Sequence, residues 1–338
     1  MKLSDNLSKQ LARIKEAPHL IGDLIESAGD LVEIIQYCNQ EYRAGNEVVT
    51  NSFYDHVLIA ELRLREPGHA FLHTVEEEGE DTFEGKKVKL PERMLSTDKA
   101  YELEEIDAWV GRIRKVAKKL GINEETLVFR LTPKLDGFAA LNPKKENPKK
   151  EKSLYTRGNG YKGTEITRAF DRGLGVAYDI DGKTWSHGMG PGEIVVNKTY
   201  FERHLAQHYE NSRNILSSVI KEAPLDAVIQ EAIDQRKVLF YPFCYLPCKE
   251  VGIHDVSARL IELRGSLLSD IEYDVDGVVI EVTNKAIKAD MGHTSSHHRW
   301  QIAYKENTEF KDVKVISITP QTSKTGRLKR VVLRRLQN

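Results

Sequence analysis

The sequence predicts an α+β protein in which a small helical domain is followed by a mixed domain of strands and helices. Two patterns indicate this fold class. Residues 1–65 repeat apolar side chains at helical spacing, whereas from Leu127 onward the apolar residues form short runs broken by Gly, Pro and Asn. The length of 338 residues is enough for about two domains. We therefore divide the chain into residues 1–90, 91–311 and 312–338.

Each element is predicted by its own pattern. The apolar residues that define the first helices are Leu7, Leu11, Ile14, Leu31, Ile34 and Ile35. A further helix is predicted over 99–120, with an apolar face made of Leu103, Ile106, Trp109, Ile113, Val116 and Leu120. Strands are predicted over 127–133, 192–197, 238–246, 276–282 and 299–305. Helical pieces are predicted near 199–209 and 256–268.

The composition is that of a soluble globular protein, with 40% hydrophobic and 30% charged residues. No run approaches the roughly 20 apolar residues that a membrane span needs, and the polar amino terminus is unlike a secretory signal. We therefore expect a cytoplasmic protein with no membrane partner. Cys38, Cys244 and Cys248 lack the paired spacing of a disulfide framework or a zinc site, so we expect no zinc in this chain.

Charge is unevenly distributed along the chain. The formal net charge is −1, but acidic residues collect at 76–81 and basic residues at 144–152 and 324–335. Local basic patches favour contact with phosphate more than the net charge does. Each patch alone is equally typical of a solvated loop or tail.

The strongest chemical signal is the sequence KLDG at residues 134–137, directly after a predicted strand. A lysine beside a carboxylate and a glycine is common in surface turns, so the signal depends on the groups farther along the chain. RGNG at 157–160 comes next, then Glu193 and Tyr245. A further carboxylate, Asp276, occurs in DVDG, and a further lysine, Lys305, ends the last predicted strand. Together these residue types suit nucleotidyl transfer.

The chemistry assigns each group a task. Lys134, once it has lost its proton, can attack the α-phosphorus of a dinucleotide and form a phosphoramidate. Lys305 and Arg157 can neutralise the charge that develops on the phosphate. An aromatic residue such as Tyr245 can stack on adenine.

Three carboxylates are candidates for a metal site. Asp136, Glu193 and Asp276 suit a hydrated Mg²⁺, which accepts one or two direct carboxylates and keeps its other waters. We therefore expect these residues to hold the ion through water.

Taken in order, these motifs resemble the nucleotidyltransferase motifs of the NAD⁺-dependent DNA ligases. The segments that carry the resemblance are KLDG, TRGNGYKGTEIT, GEIVV, NSRN, FCY, YDVDGVVIEV, RWQIAYK and the terminal TGRL. They cover roughly residues 92–335. The resemblance implies an ATP-grasp-like, DNA-ligase-type domain of antiparallel sheets and helices. Only the start of an OB barrel, or a C-terminal tail, is expected at 312–338.

The resemblance also implies roles for individual residues. Lys134 is expected to be the adenylylated nucleophile, with Asp136 and Lys305 as further catalytic residues. The residues expected to bind adenylate are Leu95, Ser96, Thr132, Arg157, Glu193, Tyr245 and Val279. Arg213 and Lys221 are expected to contact nucleic-acid phosphate.

The amino-terminal part favours NAD⁺ over ATP as the AMP donor. NAD⁺-dependent ligases hold the nicotinamide mononucleotide (NMN) half of the dinucleotide with Tyr and Asp side chains of a small helical domain. Tyr42, Asn51, Tyr54 and Asp55 fall where that pattern puts its contacts. A structural interpretation stays open, in which Tyr54 is a helix-packing aromatic and Asp55 an ordinary surface charge.

Several positions depart from the family pattern. Thr132 replaces a glutamate that reads the adenine amino group, and Asn159 replaces an aspartate. Glu281 replaces a lysine beside the phosphate site. In the helical part, Glu41 replaces an aromatic residue and Asn51 an aspartate. We therefore expect the contacts to adenine and nicotinamide to differ in detail.

The predicted function is NAD⁺-dependent sealing of nicked duplex DNA with the help of Mg²⁺. An NAD⁺-dependent RNA ligase that acts on an RNA-containing nick stays open, as does an adenylylation-only fragment or subunit. A nicotinamide dehydrogenase is disfavoured, because the glycines at 173–175 and 188–190 lack the third glycine of a dinucleotide-binding turn. A non-catalytic binding protein is disfavoured, because it would not need this set of charged residues.

Overall fold

The computed structural model describes residues 2–74, 85–143, 153–177, 179–180, 183–184, 188–221 and 223–305. These residues belong to two compact units. The first comprises Met1–Asn39 and Glu47–Leu72, and the second comprises Gln40–Asn46 and His73–Glu306. The charged segments noted above and the expected start of an OB barrel lie outside the described residues. The domain boundaries drawn from the sequence stay predictions.

The first unit is helical, as the spacing of its apolar residues predicts. The helices of this part of the chain are α1 (Asp5–Glu16), α2 (Ile21–Leu24), α3 (Ala28–Ala44), α4 (Asn51–Phe53) and α5 (Ala60–Arg65). Helix α1 begins after Ser4, whose hydroxyl accepts the Leu7 N–H. The residues predicted to form the apolar face are all buried in one core: Leu7, Leu11, Ile14, Leu31, Ile34 and Ile35.

The second unit contains the remaining helices. They are α6 (Leu103–Lys119), α7 (Arg168–Asp171), α8 (Lys198–Tyr200), α9 (Ser212–Ile220), α10 (Ala227–Asp234), α11 (Asp255–Ala258), α12 (Leu260–Leu268) and α13 (Lys285–Met291). Helix α6 starts with a reciprocal capping box between Glu102 and Glu105, which satisfies free N–H groups of its first turn.

The described strands also lie in the second unit. They are β1 (Lys87–Lys89), β2 (Ser96–Ala100), β3 (Val128–Leu135), β4 (Phe138–Asn142), β5 (Tyr155–Thr156), β6 (Lys162–Thr164), β7 (Gly175–Val176), β8 (Asp179–Ile180), β9 (Lys183–Thr184), β10 (Gly190–Val196), β11 (Val238–Pro242), β12 (Lys249–Gly252), β13 (Val275–Val282) and β14 (His297–Tyr304).

Two larger sheets organise the second unit. The β4 sheet has the order β5-β4-β10-β11-β7, and the β3 sheet has the order β12-β3-β13-β14-β2. Their pairings are antiparallel except for β11 with β7 and β14 with β2. The β4 sheet shares a core with α9 and α10, and the β3 sheet shares one with α6, α12 and α13. Helices and mainly antiparallel sheets thus confirm the predicted α+β class.

Helix α6 differs from its prediction at both ends. The helix predicted over 99–120 begins only at Leu103, because Ser96–Ala100 pairs with β14 as strand β2. Leu120 was predicted to line the apolar face, but it caps the helix and is 39% exposed.

The strand predicted over 238–246 is also shorter than expected. It ends at Pro242, where the pairing with β10 stops and where proline supplies no N–H for a longer ladder. Tyr245 therefore lies in the 3₁₀ turn Phe243–Tyr245.

Among the described residues, no helix is both long enough and apolar enough to cross a membrane.

Candidate active site

Lys134 is presented by the end of β3. Along this strand Arg130, Thr132 and Lys134 are partly exposed, and the residues between them are buried. The pairing of β3 with β12 stops at Leu131, so Pro133 lies where its missing N–H breaks no bond with that neighbour. Beyond Leu131, β3 is paired only with β13, which lies on its other side, and Lys134 belongs to this last part of the strand.

A single carboxylate joins Lys134 to Lys305. The pairing of β13 with β3 shifts between Val275 and Gly277, and Asp276 lies at this irregularity. Lys134 Nζ donates to Asp276 Oδ2 at 3.0 Å, and Lys305 Nζ lies 3.0 Å from the same oxygen. The predicted nucleophile and the predicted phosphate-binding lysine are therefore neighbours.

The charges in this cluster depend on one another. The Lys134, Asp276 and Lys305 side chains are 25%, 18% and 11% exposed. Burial alone would raise the pKa of Asp276, but the ammonium groups of Lys134 and Lys305 outweigh it and hold that pKa below its ordinary value. Asp276 is therefore ionised at neutral pH and holds the two cations together.

Gly277 allows β13 and β14 to approach closely at this point. Its φ is +151°, and a Cβ atom there would lie 2.2 Å from the Tyr304 carbonyl oxygen. Lys305 follows Tyr304 directly at the end of β14. The glycine therefore allows the approach that brings Lys305 to Asp276.

A second cluster holds Asp136, two residues after Lys134. Arg213 Nη2 bonds to Asp136 Oδ1, and Arg213 Nη1 donates to the Gly137 carbonyl oxygen at 3.1 Å. Tyr42 Oη donates to the same Asp136 oxygen at 3.3 Å, and its ring lies 3.6 Å from the guanidinium carbon of Arg213. Burial would lower the pKa of Arg213, but Asp136 and its neighbours raise it above its ordinary value.

Glu193 lies close enough to respond to both clusters. It is on β10, paired with Ala139 and Tyr241. Loss of hydration raises the pKa of Glu193 to about 7, although nearby positive charges, Lys134 among them, oppose the shift. A cation added beside this carboxylate would favour its ionised form.

Arg157 begins a tight turn after β5. Its N–H donates to the carbonyl oxygen of Ala139, the strand partner of Glu193, at 3.3 Å. The positive charge of Arg157 also lowers the pKa of Glu193 against the effect of burial. The structure therefore brings Arg157 to the same site as Glu193.

Asn159 closes the turn with its side chain. Its Oδ1 accepts the N–H groups of Tyr161 at 3.1 Å and Lys162 at 2.9 Å. An aspartate would offer the same acceptor, so this departure from the family pattern keeps the turn. Gly158, with φ +52°, has no room for a side chain, because a Cβ atom would lie 1.8 Å from the Lys162 carbonyl oxygen.

The residues predicted to bind adenylate divide between neighbouring segments. Thr132 pairs with Val279, which in turn pairs with Ala303, on the sheet face that carries Lys134. Leu95 and Ser96 lie where β2 begins, and Ser96 N–H donates to the Ser296 carbonyl oxygen at 2.8 Å. Met94, which precedes Leu95, donates its N–H to the Gly160 carbonyl oxygen in the Arg157 turn at 3.1 Å.

Glu281 is compensated within the protein. Its carboxylate lies 3.2 Å from Lys288 Nζ, and that ammonium lies 4.1 Å from the centre of the Trp300 ring. The charge reversal at position 281 is therefore balanced by a cation from α13.

The remaining predicted site residues lie on other elements. Lys221 is the C-cap of α9 and Arg213 is in its first turn, so the helix separates their backbones by roughly 12 Å. Asn51, Tyr54 and Asp55 belong to the first unit. There Asn51 begins α4 after the Thr50 cap, and Tyr54 packs against the helical core.

The carboxylates do not form a direct metal cage. In the described part of the chain, no three or more His, Cys, Asp or Glu side chains lie together so that they could hold a metal ion. Asp276 is engaged by lysines and Asp136 by Arg213, which leaves Glu193 as the carboxylate with most to gain from a cation. The arrangement fits an ion held through its waters.

Comparison with known proteins agrees with this geometry. The sequence profile of the NAD-dependent DNA ligase adenylation domain matches residues 82–251 and 248–309. The chain is 44% identical over 308 residues to a DNA ligase of Desulfotalea psychrophila, a match that covers 91% of this chain and 43% of the relative. It is 42% identical over 305 residues to one of Psychromonas ingrahamii, covering 89% and 44%. It is 38% identical over 326 residues to one of Vesicomyosocius okutanii, covering 96% and 49%.

The chain spans about half the length of the curated relatives it matches. The profile covers most of the chain and includes every residue of the two clusters described above except Tyr42. The match and the geometry therefore lead to one conclusion: this protein belongs to the NAD-dependent DNA ligase family, through its adenylation domain.

Proposed function

We propose that this chain takes up AMP from NAD⁺ on Lys134, releases NMN, and passes the AMP to a 5′-phosphate at a nick in duplex DNA. The observation that carries the proposal is the shared carboxylate of Asp276 between Lys134 and Lys305. An amine and a cation held side by side suit attack on a phosphate that is gaining charge.

In the first step, Lys134 Nζ attacks the α-phosphorus of NAD⁺. A P–N bond forms as the amine loses its proton, and the P–O bond to NMN breaks. Lys305 neutralises the phosphate oxygens, and Asp276 keeps the side chains of Lys134 and Lys305 next to each other. Arg157 adds a second cation from the turn beside Glu193.

The remaining steps return Lys134 to its free form. An oxygen of the 5′-phosphate attacks the AMP phosphorus, which breaks the P–N bond. The 3′-hydroxyl then attacks the activated phosphate, forms the phosphodiester and releases AMP. Lys221 supplies a cation for the nucleic-acid backbone on the α9 side.

Nucleotide and metal contacts complete the proposal. Leu95, Ser96, Thr132, Tyr245 and Val279 bind the adenosine half. The residues proposed to hold the NMN half are Asn51, Tyr54 and Asp55. Mg²⁺, when bound through water to Asp136, Glu193 and Asp276, would neutralise part of the phosphate charge.

The test is a labelling experiment with NAD⁺ or ATP that carries the label in its adenylate. We expect a covalent enzyme–AMP adduct with NAD⁺ and none with ATP. Lys134→Ala should abolish the adduct, whereas Lys198→Ala, which changes an exposed lysine of α8, should keep it. An adduct that persists in Lys134→Ala would contradict the assignment of the nucleophile.

A chase with nicked DNA or an RNA-containing nick then identifies the polymer. Sealing of DNA supports the proposed substrate. Sealing of RNA alone would establish the RNA-ligase alternative, and an adduct that seals neither would identify an adenylylation-only unit.

A further inference from the structure

Tyr42 contacts the segment that follows the proposed nucleophile. The stretch Gln40–Asn46 is part of the second unit, and Tyr42 is its link to the KLDG sequence. The phenol donates to Asp136 Oδ1 at 3.3 Å, and the ring faces the guanidinium of Arg213 at 3.6 Å. A planar cation over an aromatic face is an attractive arrangement, and it strengthens as water is excluded.

A second contact fixes the same stretch. Asn211 Nδ2 donates to the Gly45 carbonyl oxygen at 3.4 Å. Gly45 has φ +100°, and a Cβ atom there would lie 2.9 Å from the Asn214 backbone. Asn211 is also the N-cap of α9, whose first turn carries Arg213. The contact of Gly45 with Asn211 and Asn214 therefore holds the segment that carries Tyr42 against the start of the helix that carries Arg213.

These contacts determine what Arg213 does in this arrangement. One terminal nitrogen bonds to Asp136 and the other to the Gly137 carbonyl oxygen, while the face of the guanidinium is covered by Tyr42. The Arg213 side chain is only 17% exposed. The guanidinium is thus directed at the turn that follows Lys134.

We propose that Tyr42 is a positioning residue for the nucleophile: its ring holds Arg213 against Asp136 and Gly137 and so fixes the turn that follows Lys134. This inference rests on the proposed function of Lys134. The other side of the turn is already fixed, because Asp136 N–H donates to the Asp274 carbonyl oxygen at 2.8 Å. A displacement of about 1 Å at a reacting group can cost about 10²-fold in rate.

The role differs measurably from a contact to NMN. Loss of an NMN contact raises the concentration of NAD⁺ that gives half of the maximal adduct rate. Loss of a positioning residue lowers the maximal rate and leaves that concentration within about twofold. Tyr42→Phe, which keeps the ring, should lose far less of the maximal rate than Tyr42→Leu.

A double-mutant cycle tests the link to Arg213. We expect Tyr42→Leu to lower the maximal rate of enzyme–AMP formation about 10-fold and Arg213→Ala about 100-fold. If both act through the same turn, the double variant should fall about 100-fold rather than about 1,000-fold. The matched control is Tyr161→Leu, which removes a comparable arginine–tyrosine pair, since the Arg93 guanidinium lies 4.0 Å from the Tyr161 ring. Its effect should add to that of Arg213→Ala.

Each outcome decides the inference. A non-additive Tyr42–Arg213 cycle with an unchanged half-saturating NAD⁺ concentration supports it. Additive losses, or a rise in that concentration without loss of maximal rate, overturn it. A wild-type chain that forms no adduct would overturn the proposed function alone. In that case the denaturation midpoints of the wild type, the two single variants and the double variant would test the Tyr42–Arg213 contact. Shifts of the midpoint that do not add in the double variant would support the contact, and additive shifts would overturn it.

Discussion

At the scale of single residues, Asp276 is the group on which both lysines depend. Asp276→Asn keeps the shape of the side chain but leaves two ammonium groups side by side without a counter-ion. We expect the rate of enzyme–AMP formation with NAD⁺ to fall on the order of 10²-fold. Asp290→Asn is the matched control, because Asp290 forms an exposed ion pair with Lys119 and such pairs contribute little. Retention of the wild-type rate in Asp276→Asn would contradict the bridging role.

Glu193 predicts a pH dependence of folding stability. Its pKa is raised from 4.5 to about 7, so the folded state binds a proton that the unfolded state releases within this range. Its contribution to stability is therefore full below pH 4.5 and is lost as the pH rises through about 7. Glu193→Gln should flatten this part of the curve of unfolding midpoint against pH. An unchanged slope between pH 5 and 7 in the variant would exclude Glu193 as its source.

The sequence identified the charged residues of the site better than their partners. Lys134, Asp276 and Lys305 could be selected because their order along the chain follows the family motifs. That Asp276 bridges the two lysines depends on the register shift in β13, which leaves no mark in the composition. Arg213 shows the same limit, because the NSRN motif indicated phosphate contact but not its bonds to Asp136 and Gly137.

At the scale of elements, the close approach of β13 and β14 predicts a steric effect. Gly277→Ala would put a Cβ atom 2.2 Å from the Tyr304 carbonyl oxygen in a backbone conformation that favours glycine. We expect the free energy of unfolding to fall by about 1–3 kcal/mol from overpacking. Adduct formation should fall as well, because β14 would carry Lys305 away from Asp276.

The matched control for this change is Gly252→Ala. Gly252 ends β12, and a Cβ atom there meets nothing within 4 Å. Denaturant unfolding should show a change within about 0.5 kcal/mol for this control. If Gly277→Ala and Gly252→Ala were equally stable, the close approach of β13 to β14 would not require a glycine at position 277.

The strands also show where the secondary structure predicted from the apolar pattern differs from the observed one. Short apolar runs predicted β3, β13 and β14, and each of these strands contributes buried residues to one core. The strand β2 has the polar sequence STDKA and was not predicted, and its last two residues were assigned to the helix that follows. Its pairing with β14, and not its periodicity, makes it a strand. Tyr245 was placed on a strand because the apolar run continues past Pro242, where the ladder ends.

At the scale of the whole molecule, the two compact units have different predicted tasks. The second unit holds Lys134, Asp276 and Lys305, the residues proposed to carry the chemistry. The first unit holds residues proposed to bind NMN, among them Asp55. Only the formation of the adduct uses the NMN half of NAD⁺. A change in the NMN contacts of the first unit should therefore impair adduct formation and spare the later steps.

Asp55→Asn tests this separation. The Asp55 side chain is partly exposed and asparagine matches it in size, so the change should leave the fold intact. Loss of a charged NMN contact should lower adduct formation with NAD⁺ at least about 10-fold. Sealing of a nick that already carries AMP should stay within about twofold of the wild-type rate, because that step needs no NMN contact. Asp23→Asn, an exposed acid of α2, is the control and should affect neither step. Equal loss of both steps in Asp55→Asn would mean that Asp55 supports the structure of the helical unit, and Tyr54 would then be understood as a packing residue of its core.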